Sequence, residues 1–226
     1  MSEAQEKNGL FVCPFCEKQV ELTTYPVVDV QKQPELREDI LSGEFFRLKC
    51  PHCGKRMKIR RQVVYVDRDH RFLICLIPSF TENQLREKTW ERQDSKCYGF
   101  TKRIVANVNA LKEKILMLEN GIDDRAIELC KLAVSGVVRK KYNKPIRAIY
   151  FARFDEAENV VGFSFQFAGE KEMTLYQTKM TVYEISNKVA NAYDAQRSDA
   201  EKEGFLRVGP RWAKDALDWY QEKGEE

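Results

Sequence analysis

Two short stretches decide how the N-terminal part of this chain folds: VCPFCEKQV, residues 12–20, and LKCPHCGKRMKI, residues 48–59. Each contains a Cys-Pro-x-Cys turn, and together the turns hold four of the seven cysteines in the chain. A C-x2-C turn presents two thiolates to one ion, and two such turns complete a tetrahedral zinc site with Zn–S bonds of about 2.3 Å. The pattern predicts one structural Zn²⁺ per chain, held by Cys13, Cys16, Cys50 and Cys53.

The alternative to a metal site is a pair of dithiol redox centres, one in each turn. Neither turn lies between a strand and a helix of a βαβ unit, which is the setting of thioredoxin-like motifs. Two turns of matching form favour a metal. Four thiolates also fill a tetrahedron, so no position is left for an activated water. A structural zinc is therefore preferred to a redox centre.

The cysteine pairs are separated by 33 residues, more than the 15–20 that are usual in zinc ribbons. Pro34 and Gly43 predict the start and the end of a helix inside this gap, and a longer loop costs little extra closure entropy. Around the second pair, apolar and basic residues alternate, which predicts a hairpin. Its polar face carries four basic residues, Arg47, Lys49, Lys58 and Arg60. A second hairpin is predicted to turn at 67–70, and its apolar strand FLICL is expected to be buried.

The rest of the chain alternates between helical and strand patterns, with a predicted boundary near Pro78. We expect a zinc-ribbon-like module over 8–80 and a second domain over 81–226, which begins with a connecting helix at 79–92. An αα-hairpin follows, and two sets of residues form its apolar faces: Val108, Leu111, Ile115 and Leu118, then Ile127, Cys130, Val134 and Val137. Three strands centred on the alternating stretch Val161–Phe167 predict an antiparallel meander, and two further helices are expected at 181–195 and 210–223. The fold class is therefore α+β.

Composition and charge narrow the class of protein. Hydrophobic residues make up 43% of the chain and charged residues 32%, which is ordinary for a globular protein. No apolar run approaches the roughly 20 residues of a membrane span, and no signal pattern opens the chain. We therefore expect a cytoplasmic protein that does not enter a membrane. Four thiolates around one Zn²⁺ would bring the formal charge from +3 to about +1, so overall charge gives no case for nucleic-acid binding.

A local basic patch does favour nucleic-acid binding. Residues 44–61 hold seven basic side chains against Glu44, and a stripe of this kind can contact phosphates. The plainer interpretation is that these cations balance the −2 charge of a Zn(Cys)₄ centre. The only aromatic residue expected to point outward beside the stripe is Phe45, so the stacking platform of nucleic-acid binders is missing. The partner, a protein or a nucleic acid, stays undecided.

The best candidate for an enzyme site is the acidic stretch GIDDRAIE, where Asp124 and Glu128 share one side of a helix. Carboxylates in a first helical turn also cap free amides and favour the helix dipole, and this interpretation is preferred for Asp123, Asp124 and Glu128. With two histidines in all and no phosphate-binding or nucleophile motif, no catalytic residue is assigned. An enzyme with its site in the C-terminal domain is the alternative to a non-enzymatic recognition or adaptor protein.

Several of these motifs together resemble the CpXC domain family. They are CPFC, CPHCG, the PEL and SGEFFRLKCP segments between them, VVYVD with the strand that ends at Pro78, and LKEKILMLENGIDDRAIELCK at 111–131. The resemblance spans about residues 10–131. It implies a zinc-ribbon-like prokaryotic domain in which the four cysteines of the two turns are the ligands, and it transfers no catalytic residue.

Overall fold

The computed structural model describes residues 7–78 and 97–224, and these form two compact units. The first unit contains the described residues up to Ile115 together with Glu203–Leu206, and the second contains Leu116–Lys202 and the residues from Arg207 onward. The helix predicted at 79–92 and the boundary predicted between 80 and 81 lie outside the described residues, so both stay predictions.

Two short antiparallel ribbons carry the cysteine turns of the first unit. Strands β1 (Lys7–Val12) and β2 (Gln19–Thr24) flank the first turn, while β4 (Arg47–Lys49) and β5 (Arg56–Lys58) flank the second. The predicted hairpin around the second turn is thereby confirmed. In the gap between the ribbons, helix α1 (Pro34–Ser42) starts at the proline and ends at Gly43, as predicted, and a 3₁₀ turn follows at Glu44–Phe46.

A four-stranded mixed sheet forms the main core of the first unit. Its strands are β3 (Val27–Asp29), β6 (Val63–Asp67), β7 (Phe72–Leu76) and β8 (Thr101–Val105), in the order β3-β6-β7-β8. The β6–β7 pair is the predicted hairpin, and every residue of β7 is buried as expected. The parallel pairs β3–β6 and β7–β8 were not predicted, because parallel pairing joins distant segments and leaves no local pattern.

Two helices follow where the sequence predicts them, α2 (Val108–Glu119) and α3 (Asp124–Tyr142), while their packing against each other as an αα-hairpin stays a prediction. Within α3, Ile127, Cys130 and Val134 are buried, as expected, whereas the prediction for Val137 is wrong. Val137 is exposed and Val138 is buried in its place. The reason is the helical period. At 3.6 residues per turn, three turns take about eleven residues, so Val138 lies on the same face as Ile127, whereas Val137 lies to one side of it.

The second unit packs helices on one face of a three-stranded sheet. Strands β9 (Ile146–Asp155), β10 (Val160–Phe167) and β11 (Met173–Lys179) form the predicted antiparallel meander. Helices α4 (Met180–Asp194), α5 (Asp199–Lys202) and α6 (Pro210–Gly224) complete the unit. The alternating aromatic residues of β10 belong to the core, since Phe163, Phe165 and Phe167 are buried with residues of α3. On α6, Trp212 and Trp219 pack on Tyr193 of α4.

The predicted α+β class is confirmed by this mixture of helices with mixed and antiparallel sheets. Of the helices in the described ranges, none is both long enough and apolar enough to cross a membrane.

Candidate metal centre

The two cysteine turns have the same backbone structure. In the first, the Cys13 N–H donates to the Lys18 carbonyl at 3.0 Å, and the Glu17 N–H donates to the Cys13 carbonyl at 2.9 Å. The second turn repeats both bonds at equal lengths between Cys50 and Lys55 and between Gly54 and Cys50. Each ribbon therefore closes on a six-residue knuckle of the form Cys-Pro-x-Cys-x-Lys.

The fifth position of each knuckle has a left-handed backbone. Gly54 has φ of +71°, and a Cβ added there would meet no atom within 4 Å. In the first knuckle the equivalent residue is Glu17, with φ of +58°. A residue with a side chain pays for this conformation, whereas glycine adopts it freely. The first knuckle is therefore held in place against a local preference.

The four predicted ligand sulfurs lie together. All four Sγ atoms are within 4.8 Å of one another, with Cys13 to Cys53 at 3.8 Å and Cys16 to Cys50 at 3.7 Å. A disulfide requires about 2.05 Å, so these thiols are not bonded. Ligands at 2.3 Å around a tetrahedral centre lie about 3.8 Å apart. The observed spacing therefore fits a metal ion shared by both knuckles.

The pKa values of the thiols diverge within this group. Burial opposes ionisation of Cys50, but backbone N–H groups of Cys53 and His52 outweigh it and lower the pKa of this thiol to about 6. For Cys16, a backbone hydrogen bond from Lys18 favours the thiolate, whereas burial and the neighbouring sulfurs raise the pKa to about 12. Ionisation of one thiol disfavours ionisation of its neighbour because like charges repel, and a cation at the centre offsets this repulsion.

The other three cysteines and the side chains of both histidines are not part of this sulfur cluster. Cys75, Cys97 and Cys130 are buried, the first two in the core of the mixed sheet and the third against β10. The predicted core roles of Cys75 and Cys130 are confirmed. His52 is exposed, and its Nε2 lies 3.1 Å from the Gln19 carbonyl oxygen. His70 is in the predicted turn, with Nδ1 2.7 Å from the Asp67 carboxylate.

Few apolar side chains surround the sulfurs. The buried members of this small cluster are Cys13, Cys50 and Val20, with Cys16, Leu48 and Met57 partly buried against them. Leu48 and Met57 face each other across β4 and β5, so the inner face of this ribbon packs on the cysteines. Isolated two-stranded ribbons are marginal in water. We call the two ribbons with their knuckles the cysteine module. Apart from the sulfur centre, few contacts stabilise this module.

The outer face of the same ribbon is strongly basic. Arg47 lies opposite Lys58 and Lys49 lies opposite Arg56, and all four side chains are exposed. We call these four residues the cationic face. Arg56 belongs to it by register, while the predicted Arg60 is exposed two residues beyond the end of β5. Glu44 pairs with Arg47, and in the described ranges no carboxylate pairs with Lys49, Arg56 or Lys58.

The expectation that Phe45 points outward beside this face is wrong. Phe45 is only 6% exposed, because residues 44–46 form a 3₁₀ turn instead of continuing β4, and Arg61 covers its ring at 5.1 Å. Phe15 of the first knuckle is instead 52% exposed, and the Lys55 Nζ lies 4.7 Å from its ring centroid. The exposed aromatic side chain of the first knuckle was therefore missed, since the alternation of a strand says nothing about a cysteine turn.

The acidic stretch at the start of α3 is occupied by local contacts. Asp123 caps the helix by accepting from the Arg125 N–H at 2.9 Å, and its carboxylate also pairs with the Arg125 guanidinium. Glu128 pairs with Lys131 at 3.1 Å, and Asp124 is fully buried. The preferred interpretation of Asp123 as a helix cap is confirmed.

Comparison with known proteins places the chain in a family. The family described as CpXC protein matches residues 11–131, a segment that includes both knuckles, the cationic face and helix α2. No curated protein and no solved structure matches the chain. The matched segment covers more than half of the 226 residues and agrees with the resemblance seen in the sequence. The chain therefore belongs to the CpXC protein family.

Proposed function

We propose that this protein is a zinc-binding, non-enzymatic recognition or adaptor protein of the cytoplasm. A structural Zn²⁺ joins the two knuckles, and the module so folded presents its cationic face to an anionic protein or nucleic-acid partner. The observation that carries the proposal is that this face is turned away from the cysteines and, apart from Arg47, is not neutralised by carboxylates of the described chain.

Zinc is the metal that this donor set favours. Four thiolates at tetrahedral spacing are typical of structural zinc sites, and soft sulfur ligands disfavour magnesium and calcium. Such sites contribute about 10–16 kcal/mol of apparent binding energy in zinc-finger peptides, which is ample for a module with so small a core. The reducing cytoplasm keeps cysteines available as ligands.

The chemistry of the centre supports recognition rather than catalysis. Four protein sulfurs saturate a tetrahedral ion, so neither water nor substrate has a coordination position. The metal then supplies only cross-linking of the knuckles. The chain's own residues set the shape of the module through the paired carbonyl contacts of Cys13 and Cys50.

The orientation of the basic side chains argues against simple charge balance. Residues alternate across a strand, so with Leu48 and Met57 packed on the sulfurs, the cationic face lies on the opposite side of the ribbon. Like charges directly opposite each other on neighbouring strands also destabilise a hairpin. Two such pairs in a three-residue ribbon cost stability, and binding of an anion recovers it.

Polyanion affinity tests this proposal with a charge-matched control. Zinc-loaded protein is applied to a heparin column, and the salt concentration at elution is compared for the wild type, Lys49→Glu/Lys58→Glu and Lys188→Glu/Lys214→Glu. Both double variants have the same net charge, and the control pair lies on exposed positions of α4 and α6. We expect the hairpin variant to elute at clearly lower salt than the control. Equal elution of the two variants would refute a role for the cationic face.

A further inference from the structure

We infer that the anionic partner is a single-stranded nucleic acid, with Phe15 as the side chain on which a base stacks. This inference rests on the proposed function and names the partner of the same surface. It combines two observations that the sequence alone did not bring together, namely the cationic face and an exposed aromatic ring, Phe15, that is contacted by Lys55, the residue before Arg56.

The position of Phe15 is unusual for an exposed phenylalanine. It lies between two ligand cysteines, Cys13 and Cys16, so the metal clamps the backbone on both sides of the ring. Lys55 of the other knuckle approaches the ring, and the next residue, Arg56, opens strand β5 and belongs to the cationic face. The ring and the basic side chains are thus fixed on one small, rigid module, and little freedom is lost when a ligand binds.

The spacing of the cations suits a nucleic-acid backbone. Alternate residues of a strand are about 6.7 Å apart, as Arg56 and Lys58 are along β5, and this is close to the separation of successive phosphates in an extended single strand. The ribbon is three residues long on each side, so it spans only a few phosphates. Proteins that bind single strands combine such a basic track with aromatic rings that stack on bases.

A single strand fits this surface better than a duplex. A base must offer an open face to stack on Phe15, and in a duplex both faces of each base are covered by its neighbours. His52 occupies the position in the second knuckle that Phe15 occupies in the first and is also exposed. The two knuckles therefore each present a ring at the same place of the turn, which favours a ligand with repeated flat groups.

Fluorescence anisotropy with a labelled 20-nucleotide oligothymidine tests the inference on the full-length zinc-loaded protein. We expect the wild type to bind the single strand more tightly than a duplex of the same length, at equal salt. Phe15→Ala should weaken single-strand binding about 5- to 150-fold, because stacking is worth about 1–3 kcal/mol per base. Phe15→Trp should restore it, and Leu10→Ala, which shortens another exposed apolar side chain of the module, should change it little.

Salt dependence separates stacking from charge. If Lys49, Arg56 and Lys58 each contact one phosphate, the slope of log K against log salt should be about −2 for a single strand. Lys49→Gln/Lys58→Gln leaves one of these contacts, so its slope should be about −0.7. Phe15→Ala should leave the slope unchanged. Each variant is accepted only if it retains one zinc per chain and the circular dichroism spectrum of the wild type, so that loss of binding is not loss of folding.

The outcomes distinguish this inference from the proposed function. If the duplex binds as well as the single strand and Phe15→Ala has no effect, the inference is wrong, although a polyanion-binding face can still be correct. Preferential binding of a polyglutamate peptide or of phosphatidylglycerol vesicles would likewise refute a nucleic-acid partner. If neither the oligonucleotide nor heparin binds, both proposals fail.

Discussion

The two equivalent knuckles allow one experiment in which opposite substitutions have opposite effects. Gly54 and Glu17 occupy the same left-handed position, and the surroundings of Gly54 leave room for a methyl group. Gly54→Ala therefore adds only the conformational cost of a side chain at positive φ, about 1–2 kcal/mol. The reduced freedom of the unfolded chain offsets about 0.4–1 kcal/mol of that cost. The net loss is about 1 kcal/mol, and Glu17→Gly should gain a similar amount.

The effect should be measured as zinc affinity, because the knuckles form together with the metal site. A free-energy change of about 1 kcal/mol corresponds to a roughly 5-fold change in the dissociation constant, weaker for Gly54→Ala and tighter for Glu17→Gly. Competition with a chelator of known affinity, under reducing conditions at neutral pH, gives both constants. Glu17→Gln controls for the lost charge, since it keeps the side chain and its backbone cost.

A second glycine provides the control for a general effect of alanine. Gly136 lies in the interior of helix α3, has open space around it and is not at positive φ. Gly136→Ala should stabilise its helix by about 0.5–1 kcal/mol and leave zinc affinity unchanged. If Gly54→Ala and Glu17→Gly change zinc affinity in the same direction, or not at all, the structural equivalence of the knuckles is refuted.

Two further predictions concern the cores of the units. Asp67 is buried and accepts from Gln31, Asp69 and His70; burial opposes its ionisation, but these hydrogen bonds outweigh it and lower its pKa. Asp67→Ala should cost about 1–3 kcal/mol near neutral pH in urea unfolding. A depressed carboxyl pKa contributes stability above the unfolded value near 4 that is lost as pH falls through the folded pKa, so the difference between variant and wild type should shrink below about pH 4. Phe163→Ala should destabilise the second unit by about 3–5 kcal/mol, whereas Leu175→Ala on an exposed position of β11 should cost less than about 0.5 kcal/mol. Equal losses for the two would contradict the assignment of the sheet faces.

Local patterns predicted the features that local chemistry determines. The cysteine spacing identified the four residues whose sulfurs the fold brings together, and Pro34 with Gly43 marked the ends of α1. The alternation of β10 identified the buried face of the meander. Each of these depends on contacts or backbone angles within a few residues, which the sequence states directly.

The features that were missed depend on distant contacts. Strand β8 pairs in parallel with β7 across a long connection, and no turn residue announces such a pair. A 3₁₀ turn before β4 changed the alternation of side chains and buried Phe45, whereas Phe15 of the first knuckle contacts Lys55 of the second, which lies far along the chain. The ring proposed to bind a base was therefore visible only once the metal centre was assembled.

We propose that one zinc ion folds the cysteine module, and hydrogen exchange with and without the metal tests this role of the ion. The full-length protein should contain one zinc per chain. Its removal by a chelator, under reducing conditions, should abolish the protection of amides in β1, β2, β4 and β5 and leave that of β10 unchanged. Protection of both ribbons that persists after complete removal of the metal would contradict the claim.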